Sequence, residues 1–241
     1  TVNDRFIIDM INEYPLQLRK FFQNTGRELF AYTHYNILAP FMKFVLQSWC
    51  TNVVASPVLE ERLGSDKVRF LPPVYVEEAA EEVYTTIEDW CIVGNMTVIK
   101  KCEVAIEVFR RTPDSHLTIY GNLPKGYTKD NLPDNVKFAG FVKQVPYEDH
   151  EGYLSCSLSE CFANSAVEAS SKGLVCLLSN VDLGHRYYAS ICENMKTFNS
   201  FDELLELLAK YQQAGEYKSS TFAREYVKYK AVEYYKKVLK L

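Results

Sequence analysis

Two glutamates and one lysine are the residues of this chain best suited to chemistry. Glu160 and Glu168 lie eight positions apart, about two helical turns, with a predicted helix start between them, so both carboxylates can face one cleft. Lys100 lies where a predicted strand gives way to a helix. A carboxylate accepts two hydrogen bonds from a diol, and Lys and helix N-terminal amides bind phosphate oxygens. The three residues suit a ligand with a diphosphate and sugar hydroxyls.

Strands that alternate with helices must position these residues. Short apolar runs predict strands at 90–94, 116–121, 136–140, 153–157 and 174–178. Amphipathic patterns predict helices at 100–111, 163–172, 201–211 and 219–240. This alternation is typical of a parallel sheet with right-handed crossovers, in which ligands bind at the carboxyl ends of the strands.

The N-terminal part is predicted to be a smaller Rossmann-like portion. The first 25 residues read as an amphipathic helix broken near Pro15. Strands are predicted at 29–34 and 51–56, and helices at 40–49 and from Pro57 to 63. Two prolines at 72–73 stiffen an extended connection. We therefore predict a short or truncated N-terminal domain over 1–71 and a larger domain over 72–241.

Composition and motif content exclude several classes. With 47% apolar residues the chain can bury a core, and a net charge of −4 gives no global field for nucleic acid. Seven cysteines without a C-x-x-C pair or zinc spacing predict free buried thiols and no metal site. No apolar run is long enough for a membrane span and no signal peptide is visible, so we expect a cytoplasmic protein. Neither G-x-G-x-x-G nor a P-loop occurs, which argues against a nicotinamide enzyme or an ATPase.

Three stretches carry a resemblance to a known family. They are residues 93–102 (VGNMTVIKKC), 113–121 with 135–142 (PDSHLTIYG and NVKFAGFV), and 157–169 with 172–176 (SLSECFANSAVEA and KGLVC). In this order they resemble the donor-binding domain of retaining glycosyltransferases of the GT-B type, similar to glycosyltransferase family 4, which carries a Glu-x7-Glu motif. The resemblance covers residues 68 to about 235. It implies an α/β fold with a Rossmann-like parallel sheet and flanking helices.

The resemblance also implies roles for individual residues. Glu160 would lie near the donor sugar, Glu168 would bind the ribose hydroxyls, and Lys100 would neutralise the diphosphate. His34 ends a predicted strand where related enzymes carry a polar residue facing the donor, so it joins Glu160 and Lys100 as a catalytic candidate. The full donor-binding set that we predict is Gly94, Asn95, Lys100, Gly121, Phe141, Ala163, Asn164, Ser165 and Glu168.

Three positions depart from the family pattern. Asn95 stands where the family has an arginine on the diphosphate, which removes a charge and a bidentate donor. Ala163 replaces a glycine, so the loop is expected to approach the phosphate less closely. A late Gly-Gly loop is reduced to residues 183–186, where Arg186 could supply the missing positive charge.

The activity implied is transfer of a sugar from a nucleoside-diphosphate sugar to a glycan, lipid or protein acceptor with retention of configuration. No cofactor or metal is expected, because Lys100 and helix N-termini can stabilise the leaving diphosphate. The partners would be a UDP- or GDP-sugar and the acceptor, without nucleic acid. Two alternatives stay open, a non-catalytic binding module of GT-B fold and a nucleotide-sugar epimerase of the same architecture.

The C-terminal helix, predicted over 219–240, has two interpretations. Its six Lys and Arg residues could touch an anionic membrane and make the protein peripheral. Its aromatic residues also suit packing back onto the N-terminal part, which is what the resemblance implies.

Overall fold

The structure is a computed structural model of the 241-residue chain. It describes residues 5–9, 28–33, 51–54, 68–70, 83–158, 160, 163–180 and 183–218. The chain divides into two compact units, residues 1–74 with 229–241 and residues 75–228. The predicted boundary between residues 71 and 72, His34 and the predicted helix 219–240 all lie outside the described residues.

The N-terminal unit contains a four-stranded parallel sheet in the order β1-β2-β3-β4. Its strands are β1 (Arg5–Asp9), β2 (Glu28–Thr33), β3 (Thr51–Val54) and β4 (Val68–Phe70). Our prediction of a helix at the start of the chain is wrong over 5–9. The run Phe6-Ile7-Ile8 is the continuous apolar run expected of a strand inside a parallel sheet, and the parallel pairing with β2 outweighs the helical spacing of the apolar residues.

The C-terminal unit is built on a six-stranded parallel sheet. Its strands are β6 (Asp89–Gly94), β7 (His116–Gly121), β8 (Val136–Gly140), β9 (Gly152–Ser155), β10 (Val175–Ser179) and β11 (Met195–Phe198). A two-stranded antiparallel pair joins β5 (Val83–Tyr84) to β12 (Tyr217–Lys218). The sheet order is β11-β10-β9-β6-β7-β8, so the chain runs outward from β6 to β8 and then returns to the other side of β6. The strand order reverses between β6 and β9, the point at which open parallel sheets bind ligands.

Four helices connect these strands. They are α1 (Cys102–Arg111), α2 (Asn164–Ser171), α3 (Leu183–Ile191) and α4 (Phe201–Tyr211). Helix α1 buries Cys102, Ile106 and Phe109 at helical spacing against the sheet, as expected of an amphipathic helix. It begins two residues later than predicted, because Lys101 has a left-handed backbone with φ of 50°.

Helix α4 has the predicted bounds and a clear local cause. The Ser200 side chain accepts a hydrogen bond from the Glu203 amide at 3.1 Å, which caps the first turn. Leu204, Leu208 and Tyr211 then form its buried stripe. The sequence did not predict helix α3, which begins in the segment 183–186 that was predicted to be a reduced loop. Also not predicted were the strands β4, β5, β11 and β12.

The core of the C-terminal unit lies between the sheet and helices α1 and α4. Trp90 is fully buried, and its ring stacks edge-on against Tyr211 at 6.1 Å between centroids. The five described cysteines are free and buried, as predicted, and burial raises the pKa of Cys102 to about 12, so its thiol stays protonated. Among the described residues, no helix has the length and apolarity that a membrane crossing requires.

Candidate functional site

The central feature is an ion pair where β6 and β9 end. Lys100 closes the loop between β6 and α1, and Glu160 lies in the loop between β9 and α2. The Lys100 ammonium contacts Glu160 Oε1. The two side chains are 28% and 17% exposed, so a ligand in solvent can reach both charges. Both residues were predicted from the sequence, and the structure brings them together at the reversal of strand order.

Backbone contacts hold the two loops against each other. The Leu158 amide donates to the Ile99 carbonyl at 2.8 Å. Ile99 directly precedes Lys100 in one loop, and Leu158 lies two residues before Glu160 in the other. The Ser157 hydroxyl donates to Glu160 Oε1 at 2.8 Å. The carboxylate therefore has a donor from its own loop as well as the Lys100 ammonium from the neighbouring one.

Two glycines make room at the same edge of the sheet. Gly94 and Gly121 are paired at the ends of β6 and β7. Gly121 has a φ of 131°, and a Cβ there would overlap the Gly94 carbonyl. Gly94, with a φ of 145°, leaves space beside the Lys100 side chain, whose Cε would lie 3.7 Å from an added Cβ. Gly121 thus requires glycine for the close approach of the Gly94 backbone, whereas at Gly94 it is the positive φ that favours glycine.

Helix α2 begins beside the loop that carries Glu160. Ala163 precedes the helix with a left-handed φ of 53° and makes no side-chain cap. The first amides of a helix lack intrahelical partners, so Asn164 and Ser165 present donors suited to an anion. Ala163 adopts here the conformation for which glycine is preferred, and this fits the position of the family glycine that it replaces.

Glu168 is fixed by a tyrosine that the sequence analysis missed. The Tyr147 hydroxyl donates to Glu168 Oε2 at 3.0 Å and lies 3.4 Å from the Ser165 carbonyl. Burial raises the pKa of Glu168, and the hydrogen bond from Tyr147 opposes that rise. Ser165 is held in turn by Tyr153, with 2.7 Å between the hydroxyl oxygens. The carboxylate therefore has one oxygen engaged and sits in a half-buried setting.

Two further candidates lie on the exposed rim. Phe141 follows the end of β8 and is 78% exposed, beside Val142 at 42%. An exposed aromatic ring at the carboxyl edge of a sheet offers a stacking surface for a base. Asn95 is also exposed, directly after Gly94. Its amide side chain can donate to a phosphate but brings no charge.

Arg186, considered as a replacement for the missing arginine, is engaged elsewhere. It lies in α3, where its Nε donates to Asn180 Oδ1 at 2.8 Å and its guanidinium also contacts the Asn180 carbonyl at 3.3 Å. Asn180 directly follows β10. Arg186 is therefore held at the carboxyl edge of the sheet by contacts of its own.

A cavity on a sheet face is separate from these residues. It has a volume of about 400 Å³ and is lined by Thr118, Lys137 and His150, among others, but not by Lys100 or Glu168. His150 Nε2 lies 2.9 Å from the Tyr120 hydroxyl, and burial lowers the pKa of His150. Within the described part of the chain, no group of three or more His, Cys, Asp or Glu side chains is arranged to hold a metal ion.

The sequence signals for the missed residues were uneven. Ser157 lies in the motif that carries Glu160, three residues before it, but no role was predicted for it. Tyr147 lies in a short 3₁₀ turn, Tyr147–Asp149, and contacts Glu168 across 21 positions of sequence. No local sequence pattern predicts a contact between residues so far apart, so it can be seen only in the folded structure.

Comparison with known families adds an independent observation. Residues 87–197 match the family profile described as "Glycosyl transferases group 1". The matched span includes Lys100, Glu160 and Glu168 and amounts to slightly less than half of the chain. No curated protein sequence gives a significant match.

Solved structures share the fold at low sequence identity. TarM superposes with a TM-score of 0.71 at 15% identity, over 98% of this chain and 55% of TarM. HepE from Anabaena, solved with UDP and glucose, superposes with a TM-score of 0.73 at 12% identity, over 97% of this chain and 76% of the HepE chain. Sucrose-phosphate synthase from Thermosynechococcus elongatus gives 0.69 at 15% identity, over 98% and 74%. The chain thus spans about half the length of TarM, and the predicted Rossmann-like fold of the GT-B type is confirmed.

Proposed function

We propose that the protein transfers a sugar from a nucleoside-diphosphate sugar to an acceptor, with the donor bound at the carboxyl edge of the six-stranded sheet. The observation that carries the proposal is the Lys100–Glu160 ion pair at the reversal of strand order. The match of residues 87–197 to the glycosyltransferase family profile supports it.

Each part of the donor has a chemical partner in this arrangement. The diphosphate is bound by Lys100 and by the first amides of α2, which offer positive charge and directed donors. Glu168 accepts hydrogen bonds from the ribose hydroxyls through the carboxylate that Tyr147 orients. Phe141 offers its exposed face to the base.

The transfer breaks the bond between the anomeric carbon and the diphosphate oxygen and forms a bond to an acceptor oxygen. The products are a glycoside, a nucleoside diphosphate and the proton of the acceptor hydroxyl. Negative charge grows on the departing diphosphate, where Lys100 and the α2 amides stabilise it without a metal ion. Glu160 faces the donor sugar, and configuration is retained at the anomeric carbon.

Thermal unfolding with UDP-, GDP- and ADP-sugars tests the donor site. A ligand at about 100 times its Kd raises the free energy of unfolding by roughly 2.7 kcal/mol. We expect one nucleotide class to raise the Tm of the wild type and of Glu206→Ala, an exposed control in α4, but not of Glu168→Ala. Absence of a shift with any nucleotide at millimolar concentration would contradict the donor site.

Asn95 favours a second candidate, a non-catalytic module that binds nucleotide sugars. The family arginine at this position adds a charge that Asn95 lacks, so transition-state stabilisation could be lost while binding remains. Release of nucleoside diphosphate from the sugar nucleotide that stabilises the protein separates the two candidates. Steady release with an acceptor supports the transferase, and binding without release across glycan, lipid and protein acceptors supports the module.

A further inference from the structure

Ser157 connects the ion pair to the interior of the sheet. It is fully buried, and its hydroxyl donates to Glu160 Oε1 at 2.8 Å, the same oxygen that the Lys100 ammonium contacts. Lys100 and Glu160 reach each other with long side chains that are part exposed. Such side chains have many rotamers, and an ion pair between them holds one geometry weakly by itself. A further contact, from a buried residue, restricts the carboxylate much more.

Ser157 is itself held by the neighbouring strand. The Ser179 hydroxyl donates to the Ser157 carbonyl. Ser179 is the last residue of β10, and both serines are buried. Strand β10 pairs with β9, and the last pair in this register is Leu178 with Ser155. The side-chain contact therefore continues the connection between the two strands beyond the point where their backbone ladder ends.

A buried histidine directs the Ser179 hydroxyl. His185 Nδ1 lies 2.9 Å from the Ser179 carbonyl and 3.3 Å from its Oγ. A carbonyl oxygen only accepts, so Nδ1 carries the hydrogen and donates. Because His185 Nδ1 faces the Ser179 oxygens as a donor, the Ser179 hydroxyl hydrogen is left to point at the Ser157 carbonyl. The contacts thus run from α3 through β10 to the loop of Glu160.

We propose that Ser157 is a positioning residue that holds Glu160 against Lys100, and that Ser179 anchors Ser157. The consequence of this positioning for sugar transfer rests on the proposed function, whereas the effect of Ser157 on the ion pair does not. With Ser157 in place, one rotamer of Glu160 is favoured before any donor arrives. Removal of the hydroxyl leaves the carboxylate free to turn away from Lys100.

Acetylation of lysines by acetic anhydride, followed by peptide mass spectrometry, measures the effect without a nucleotide. Lys101 is the internal reference, since its side chain is 32% exposed against 28% for Lys100. Ser157→Ala is expected to raise the Lys100 rate relative to Lys101 by about three- to tenfold, the factor for loss of one net hydrogen bond. Ser115→Ala removes an equally buried hydroxyl at the amino edge of β7 and should leave the ratio unchanged.

The comparison decides the proposal on folded protein. An unchanged ratio in Ser157→Ala, with a cooperative unfolding transition, overturns the positioning role. Should Ser157→Ala fail to fold, Ser179→Ala serves instead, because it removes the anchor and leaves the Ser157 hydroxyl in place. Ser179→Ala is then expected to raise the ratio of the Lys100 rate to the Lys101 rate. An unchanged ratio in this variant would overturn the proposal.

The proposed function is judged separately, by titration of the wild type with UDP- and GDP-sugars. Failure to bind any nucleotide would end the transferase proposal and leave the acetylation result standing. With an active wild type, Ser157→Ala is expected to lower kcat by a larger factor than it changes KM. Equal kcat in Ser157→Ala and Ser115→Ala would overturn a catalytic consequence of the positioning.

Discussion

Lys100 and Glu160 are 60 positions apart in the chain, and they meet as an ion pair where β6 and β9 end. The cation that would bind a diphosphate is therefore occupied by a carboxylate in the free protein. A donor must share Lys100 with Glu160 or displace it. Much of the expected behaviour of the site follows from this competition.

Glu160→Gln is expected to separate binding from turnover. Gln keeps the shape of the side chain but loses the charge that holds Lys100, so the affinity for a bare nucleoside diphosphate should rise about three- to tenfold. Sugar transfer should fall sharply, since the carboxylate facing the donor sugar is lost. Calorimetric titration with UDP and GDP measures the first effect. Glu103→Gln, which frees Lys101 instead, is the matched control, and weaker binding by Glu160→Gln than by this control would contradict the competition.

Asn95→Arg is expected to strengthen donor binding. The position is exposed, directly follows Gly94 and lies in the same loop as Lys100. A guanidinium there adds charged hydrogen bonds worth about 1.5–3 kcal/mol, or roughly 10- to 100-fold in Kd. Thr97→Arg places the same charge at another exposed position of the loop. Equal gains from both variants would show a general effect of charge and count against a specific phosphate contact at position 95.

Glu168→Gln is expected to stabilise the protein while it weakens nucleotide binding. Burial raises the pKa of Glu168 above its usual 4.5, so above the folded pKa the folded state carries a carboxylate that the unfolded chain solvates better. Gln is uncharged, so the substitution removes the cost of burying a charged carboxylate. The gain in Tm should be full above the folded pKa and should vanish as the pH falls below about 4.5, where the carboxyl is protonated in both states. Thermal unfolding from pH 4 to 8 measures it, and a gain that grows towards acid pH would contradict the account.

Tyr147→Phe is expected to weaken the hold on Glu168. The Tyr147 hydroxyl stabilises the charged carboxylate, so its loss should raise the pKa of Glu168 further and lower stability by about 1–2 kcal/mol at neutral pH. As the pH is lowered, the affinity for nucleotide should therefore begin to fall at a higher pH in Tyr147→Phe than in the wild type. Tyr187→Phe, on α3, is the control. The same pH dependence in both variants would argue against a role for Tyr147 at the site.

Local pattern was enough to predict part of this molecule. Strands β7 and β8 and helix α4 have the bounds that the sequence predicted, because each is a periodic or apolar run with distinct flanks. Helix α3 was missed because Gly184, in its first turn, was taken for a loop residue, although Gly184, His185 and Tyr188 lie buried on one face. The burial of this helix face therefore outweighed the low helix propensity of Gly184.

The site was predictable only where chemistry lies in a motif. Lys100, Glu160 and Glu168 could be picked out by type and spacing. Ser179 and Tyr147 act through contacts between separate loops and strands, and such contacts have no local signature. Ser157 contacts Glu160 within one loop, but its residue type alone did not indicate that role. The contact between Ser157 and Ser179 emerges only when the strand order places β9 and β10 side by side.

The most direct test of the donor site compares two adjacent lysines. Lys100→Met and Lys101→Met each remove one charge from the same loop, but only Lys100 contacts Glu160. In calorimetric titration with the nucleoside diphosphate that stabilises the wild type, Lys100→Met should weaken binding about 10- to 100-fold, and Lys101→Met by little. Equal affinity of the two variants and the wild type would contradict the proposal that this edge of the sheet binds the donor diphosphate.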